Sequence, residues 1–341
     1  MMKQPTLRKV AELAGVSLGT ASQALSNKPG VLPETRARVI EAAVTLGYKS
    51  TRRLPSEKKV STIGLLCKNT GDAFTVNPFY SYVLHGVEQE CKRRNLNLMY
   101  ATLDADDPSF VEALPPMLAN PYIDGFLLVG TFLEDTIAYL SEQVTQLVVL
   151  VDAYASGQIF DSVIIDNTSG IRSAVEYLIR MGHVRIGLVG STSDAFPSIR
   201  ERRDAYINTL HDHHISTLYL EDSPLTREGA YDATIRLLRQ HPEVTAILGV
   251  NDQVAVAAMN AAQDLGRNVP NDLSIVGFDD IDLAHEVKPG LTTVHVDKIL
   301  MGAQAVRQLL DRVETARQVA LTTRLSTQLI IRESVRAVRQ H

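Results

Sequence analysis

Tryptophan is absent, and cysteine occurs only as Cys67 and Cys91. Two thiols build no disulfide framework, so a disulfide-stapled secreted scaffold is excluded. No apolar run approaches the roughly 18 residues that a membrane-spanning helix needs. The N-terminal stretch lacks the apolar centre of a signal peptide. These lacks are those of a cytoplasmic protein. No GxGxxG follows a strand-like run and no Walker loop occurs, which removes the usual support for a nucleotide-dependent enzyme. The His211, His213 and His214 cluster carries adjacent residues that diverge on a helix, which is no metal-ligand spacing. No nucleophile stands in a pattern with a base. The expectation is therefore no enzyme, no cofactor and no metal.

What is present is a chain of 341 residues, 45% hydrophobic and 21% charged. That length exceeds one ordinary core and suits a small module joined to a larger, two-lobed body. Charge is unevenly spread. Residues 1–59 hold eleven Lys and Arg against four Asp and Glu, a net +7, so the remainder carries -12 of the overall -5. A basic head on an acidic body predicts that the head alone meets a polyanion.

Three short helical patterns fill residues 1–48. Leu7, Val10, Ala11 and Ala14 keep the spacing of one helix face, with Thr6 as N-cap and Gly15 closing the turn. Ser17 caps a second helix from Leu18 to Leu25 that packs through Ala21, Ala24 and Leu25. Asn27 to Gly30 breaks the chain. Pro33 starts a third helix, with Val39, Ile40, Ala43 and Leu46 expected inward. Two helices around the Gly15-Val16-Ser17 turn make a helix-turn-helix, whose second helix enters the DNA major groove.

The run from Thr6 to Tyr48 resembles the DNA-binding head of the LacI/GalR (lactose-repressor/galactose-repressor) family without a gap. VAELAGVS, ALSNKPGV and ETRARVIEAAVTLGY carry the likeness. The resemblance implies that Leu18, Gly19 and Gln23 read bases. It implies that Thr6, Ser17, Thr20, Ser22 and Asn27 hold phosphates, and that Tyr48 and Leu54 also meet DNA. Hydroxyls and amides at helix N-termini suit phosphate oxygens, which agrees. Ser17 can equally be a plain cap, and Leu18 a core contact. Many members carry Arg where Gln23 stands. Arg pairs with guanine and Gln with adenine, so the half-site is expected to differ there.

Residues 49–60 are polar, basic and aperiodic, the composition of a linker. In the family this stretch forms a hinge helix whose leucine wedges into the minor groove, a role open to Leu54. It is shorter than the usual hinge, and Pro55 disfavours the helical region at Leu54. An unstructured basic tether is the other reading.

From residue 61 to 341, apolar strand-like runs alternate with helical patterns. The runs are 62–66, 96–100, 125–129, 147–151, 162–165, 185–189, 246–250 and 273–276; the helices include 79–94, 168–181, 201–213, 228–240 and 253–265. This alternation predicts parallel sheets covered on both faces, in two lobes. Polar residues stand at strand ends, where open α/β sheets bind ligands: Asp152, Asp166, Asn167, Asn251, Asp252, Asp279 and Asp280. Several of these can instead cap the following helix.

The resemblance runs on through DNTSGIRSAVEYLIRMGHVRIGLVG, RERRDAYINTL and VNDQVAVAAMNAAQDLGRNVPNDLSIVGFDD. It implies a body like the periplasmic sugar-binding proteins, with one lobe of about 61–163 and 293–328 and the other of about 164–292 and 329–341. Arg202, Asn251 and Asp279 match the family's effector contacts, Asp166 stands at a neighbouring strand end, and Phe79 is a candidate stacking wall. An aromatic that many members carry on the opposite lobe is not evident near Pro224 and Leu225. The implied fold is an all-α helix-turn-helix head plus an α/β periplasmic-binding-protein-like body of two parallel-sheet lobes. The implied function is a regulator, a repressor, of a pseudo-palindromic double-stranded operator, controlled by a small polar effector such as a sugar. A homodimer is expected through the helices near 79–94 and 109–120. The short stretch after LIIRESV leaves no room for a tetramerising coiled coil. The alternative is a solute-binding receptor module without regulatory role, which would need a leader and no DNA-reading head.

Overall fold

The computed structural model describes residues 6–25, 31–46, 60–68, 78–103, 114–155, 160–192 and 195–338. The chain divides into two units, 1–59 and 60–341.

In the first unit, α1 (Leu7–Ala14), α2 (Leu18–Leu25) and α3 (Pro33–Thr45) pack on one another. Val10, Ala11, Ala14, Ala21, Ala24, Val39, Ala42 and Ala43 form the core, with Leu7, Val16, Val31 and Leu46 at its edge. The residues are small, so the helices approach closely and a short sequence can close a core. Ile40, expected inward, is 48% exposed. The buried face of α3 runs through Val39, Ala42 and Ala43, and half-buried Leu46, one residue past its end, continues the i, i+3, i+4, i+7 spacing. Gly15 ends α1 in the left-handed region (φ 62°), its N–H returning to Ala11 and Glu12 carbonyls. Glycine takes that conformation without a Cβ clash.

The second unit holds two six-stranded sheets. The first has the order β2 (Asn97–Leu103), β1 (Thr62–Lys68), β3 (Gly125–Val129), β4 (Leu147–Val151), β5 (Asp161–Ile165) and β11 (Thr322–Leu325), with its neighbours parallel. The second has the order β7 (Tyr219–Glu221), β6 (Ile186–Val189), β8 (Ala246–Gly249), β9 (Ser274–Asp279), β10 (Thr292–His295) and β12 (Gln328–Ile330). It is parallel except for β10 against β12. Central strands such as β3 and β5 are buried throughout, whereas β11 alternates between exposed and half-buried and no residue of β12 is fully buried. Exposure is why apolar runs did not reveal β11 and β12, whereas β10 is buried but reads Thr-Thr-Val-His and so makes no apolar run. The chain passes between sheets after β5, after β10 and between β11 and β12.

Helix α4 (Pro78–Arg93) lies along α11 (Lys298–Thr315) beside the first sheet. Two glycines permit it. A Cβ on Gly302 would sit 1.9 Å from the Val83 carbonyl oxygen, and one on Gly86 would sit 2.0 Å from that of Ile299. The opposite face of this sheet is covered by Met117, Ile123, Phe132, Ile137 and Leu140 around Phe126 and Leu128. Those residues come from the loops beside β3 and from α5 (Glu134–Glu142). Within 109–120 the described structure is a single 3-10 turn, Pro116–Ala119. The second sheet carries α6 (Asn167–Arg180) beside α7 (Pro197–Asp212), and α8 (Arg227–Gln240) beside α9 (Asp252–Asp264). In each sheet the strand order reverses beside the first strand, so the crevice beyond the carboxyl ends is the place where a ligand can enter.

Candidate functional site

In the head, the turn before α2 shapes one polar surface. The Ser17 hydroxyl accepts from the Thr20 amide at 3.0 Å and pairs with the Thr20 hydroxyl at 2.8 Å, so Ser17 caps α2. Leu18, at the first helical position, is 52% exposed and takes no part in the core. Gly19 and Gln23 are exposed or half-buried at the surface of α2, as are Thr20 and Ser22. Thr6 is exposed and stands at the N-cap of α1 without a side-chain capping bond. Asn27, Tyr48 and Leu54 lie outside the described residues. An exposed leucine flanked by a hydroxyl cap and a following amide makes a surface able to meet both phosphates and base edges.

In the body, one buried arginine organises the crevice. Arg202, on the first turns of α7, is 4% exposed. Its Nε donates to Asn167 Oδ1 at 2.8 Å and its Nη1 to the Val250 carbonyl at 2.7 Å. Its Nη2 lies 3.2 Å from Asp279 Oδ1 as an ion pair without hydrogen-bond alignment. The guanidinium rests on the Phe278 ring, 3.8 Å from the centroid. These partners stand where β5, β8 and β9 end, so three strands converge on one cation. Burying a guanidinium requires such partners, because a desolvated charge left unpaired is costly.

The other sheet supplies the facing groups. Asp152 follows β4 with a left-handed backbone (φ 55°), and its Oδ2 accepts from the Tyr80 hydroxyl at 2.8 Å. Burial pushes the Asp152 carboxyl up to about 6, against the Tyr80 hydrogen bond and the Arg202 charge. Burial also raises Asp279, with Arg202 and Lys298 opposing. Tyr154, two residues after Asp152, crosses to the second lobe: its hydroxyl donates to Glu201 Oε2 at 3.0 Å and accepts from Asn167 Nδ2 at 3.2 Å. Tyr82 on α4 likewise donates to Asp282 Oδ2 at 2.6 Å.

The expected site residues do not all gather. Arg202 and Asp279 meet directly. Asn251 caps α9 through the Val254 amide at 2.9 Å, and Asp166 caps α6 through the Ser169 amide at 3.1 Å. Capping uses part of each side chain and leaves Asn251 beside the Val250 carbonyl that holds Arg202. Phe79 packs into the core, its ring edge-on to Tyr80 at 5.1 Å. Tyr80, Tyr154, Glu201 and Lys298 do not stand out from sequence. The available signals are the first tyrosine of FYSY and a tyrosine just past a strand-end aspartate. Neither is distinguishable from an ordinary half-buried tyrosine without the crevice in view.

A helix-turn-helix head in series with a two-lobed α/β body that gathers polar groups in its crevice defines a ligand-responsive DNA-binding regulator. Residues 6–50 match the model of bacterial regulatory proteins of the lacI family, and residues 175–335 that of the periplasmic binding protein-like domain. The chain is 30% identical to the HTH-type transcriptional regulator CelR of Thermobifida fusca, over 97% of this chain and 98% of that protein. It is 30% identical to the HTH-type transcriptional repressor PurR of Haemophilus influenzae, over 98% and 99%. The solved CelR–cellobiose complex superposes with a TM-score of 0.73 at 29% identity, over 97% of this chain and 99% of that one. The chain belongs to the LacI family of bacterial regulatory proteins. It is a DNA-binding transcriptional regulator and not an enzyme.

Proposed function

We propose that this regulator is a cytoplasmic repressor that binds a pseudo-palindromic operator as a homodimer and releases or gains it when a sugar binds between its lobes. The observation that carries the effector half is Arg202, held on Asn167, the Val250 carbonyl and Asp279 where three strands end. Asp166, Asn251, Asp279, Arg202 and Phe79 are the assigned effector residues, and Asp152 with Tyr80 completes the facing wall. The cellobiose of the solved CelR complex supports a sugar as the effector class. Thr6, Ser17, Leu18, Gly19, Thr20, Ser22 and Gln23, with Asn27, Tyr48 and Leu54, form the operator surface. The exposure of Leu18 at the start of α2 supports base reading by that helix. The head is taken as 1–48, the hinge as 49–60 and the body as 61–341, with lobes of about 61–163 plus 293–328 and 164–292 plus 329–341.

Effector and operator are linked: a sugar that prefers one lobe arrangement changes operator affinity, and the operator changes sugar affinity by the same factor. The test is selection of bound duplexes from random DNA with the full-length protein, repeated with cellobiose, glucose and ribose. A recovered palindrome whose bound fraction shifts with one sugar is the expected result. Absence of any sequence preference at low salt refutes the operator assignment, and a bound fraction indifferent to every sugar refutes the effector assignment.

A further inference from the structure

The crevice lies beyond the carboxyl ends of β8 and β9. A second cavity, of about 520 Å³, lies at their amino ends, on the far side of the same sheet. That volume falls within the range of small-molecule sites. One wall is the C-terminal segment, which is fastened down. The Arg336 amide donates to Ser274 Oγ at 3.1 Å, and the Ser274 hydroxyl donates back to the Arg336 carbonyl at 3.3 Å. The same carbonyl is bonded to His183 Nε2 at 3.0 Å, and the Val338 amide donates to the Met181 carbonyl at 2.8 Å. A carbonyl only accepts, so Nε2 carries the proton. Burial holds His183 below its ordinary value against the Arg336 hydrogen bond, so the ring is neutral at pH 7 and adds no charge to the cavity. The charged groups that line it are one cation, Arg336, and one carboxylate, Asp272. Among the described residues no ion pair joins them, although Arg336 reaches the residue next to Asp272: its Nη1 donates to Asn271 Oδ1 at 2.5 Å. The guanidinium keeps Nε and Nη2 as further donors. Asp272 accepts from the backbone and side-chain amides of Asn268 at 2.9 and 3.1 Å, both on Oδ2, which leaves Oδ1 open. Those amides hold its carboxyl below the usual range, so it is ionised at neutral pH. Between the two charges the lining is apolar, with Leu273 buried and Pro270 and Val338 half-buried.

We propose that this cavity is a second small-molecule site of the regulator, separate from the crevice, and that it takes a zwitterion: a free α-amino acid with an apolar side chain. The ligand carboxylate accepts from Nε and Nη2 of Arg336, the two-pronged geometry that a guanidinium offers. The ligand ammonium donates to Asp272 Oδ1. The side chain lies on Leu273, Pro270 and Val338, where its burial adds to binding. Both ligand charges are needed. A plain carboxylate leaves Asp272 unmatched and meets a like charge, and a plain amine does the same with Arg336. A neutral sugar brings neither charge, so this site and the crevice select different chemistry. A ligand held in this way ties the loop before β9 to the C-terminal segment.

The test is titration calorimetry at pH 7 and low ionic strength on full-length protein. The probes are L-leucine and L-phenylalanine, with 4-methylpentanoate and 3-methylbutylamine as matched analogues that keep the leucine side chain and lack the ammonium or the carboxylate. At least one amino acid is expected to bind, and each analogue of leucine to bind more weakly than leucine by about 10-fold or more, the loss of one charged hydrogen bond. Asp272→Asn should weaken leucine and close its gap to 4-methylpentanoate; Arg336→Gln should weaken leucine and close its gap to 3-methylbutylamine. Both side chains are exposed, so neither substitution removes core packing. Failure of both amino acids to bind overturns the inference, as does an analogue that binds as tightly as leucine. Leucine binding that both variants retain at native strength places the ligand elsewhere on the protein and also overturns it. None of these results bears on the sugar assigned to the crevice, which is tested by its own effect on operator binding.

Discussion

Replacing Asp152 by asparagine should make the body more stable at neutral pH than in mild acid, relative to the native chain. The carboxyl stands at about 6 in the folded protein against 3.8 for a free aspartate, chiefly through burial. A raised carboxyl means that the folded state keeps a proton that the unfolded chain has already released. Stability is therefore lost as pH rises from the unfolded value to the folded one, and levels off above it. Integrated over that window, ionised Asp152 costs about 3 kcal/mol at pH 7 and about 1 kcal/mol at pH 4.5. Asparagine carries no such cost. Its carbonyl can still accept from Tyr80, and its amide stands where Oδ1 lacked a donor, an offset that does not change with pH. The quantity to measure is thus a difference of differences. Urea unfolding of the body, followed by far-ultraviolet circular dichroism since no tryptophan exists to report it, is run at both pH values on both proteins. The Asp152→Asn variant should gain about 2 kcal/mol more at pH 7 than at pH 4.5. A variant whose stability change is equal at the two pH values, within about 0.5 kcal/mol, contradicts the claim that burial holds this carboxyl up.

Three further outcomes are expected. Gly302→Ala should destabilise the body by about 1–3 kcal/mol or more, because its methyl meets the Val83 carbonyl and α4 must move off α11; an unchanged melting temperature excludes the close approach. Tyr154→Phe should cost about 1–3 kcal/mol through loss of the bridge to Glu201. A double-mutant cycle with Glu201→Ala measures the coupling across the lobes, and coupling near zero removes the bridge from the account. Gln23→Arg should shift the preferred base in each half-site from adenine to guanine, by about 1–3 kcal/mol in gel-shift competition; a variant with native preference places residue 23 away from the bases.

Helix periodicity, the Gly15 turn and the Ser17 cap are local, and they made the trihelical head legible from residues 6–46 alone. Runs such as Leu147–Val151 declared buried parallel strands for the same reason, since both faces are covered and both positions of the pleat are apolar. Ile40 shows where pattern reading stops: a helix presents two adjacent apolar flanks, and only the packing of α1 and α2 decides that Ala42 goes inward and Ile40 outward. The crevice is the larger case. Asp152, Tyr80, Asn167, Arg202 and Asp279 are scattered from position 80 to position 279, and each alone reads as a cap, a core aromatic or a surface ion. Folding of two sheets with like strand order brings their carboxyl ends together, and burial there turns separate polar residues into one electrostatic unit. Chemistry at a strand end is local information; which ends face each other is a property of long-range pairing, and that was settled by tertiary structure.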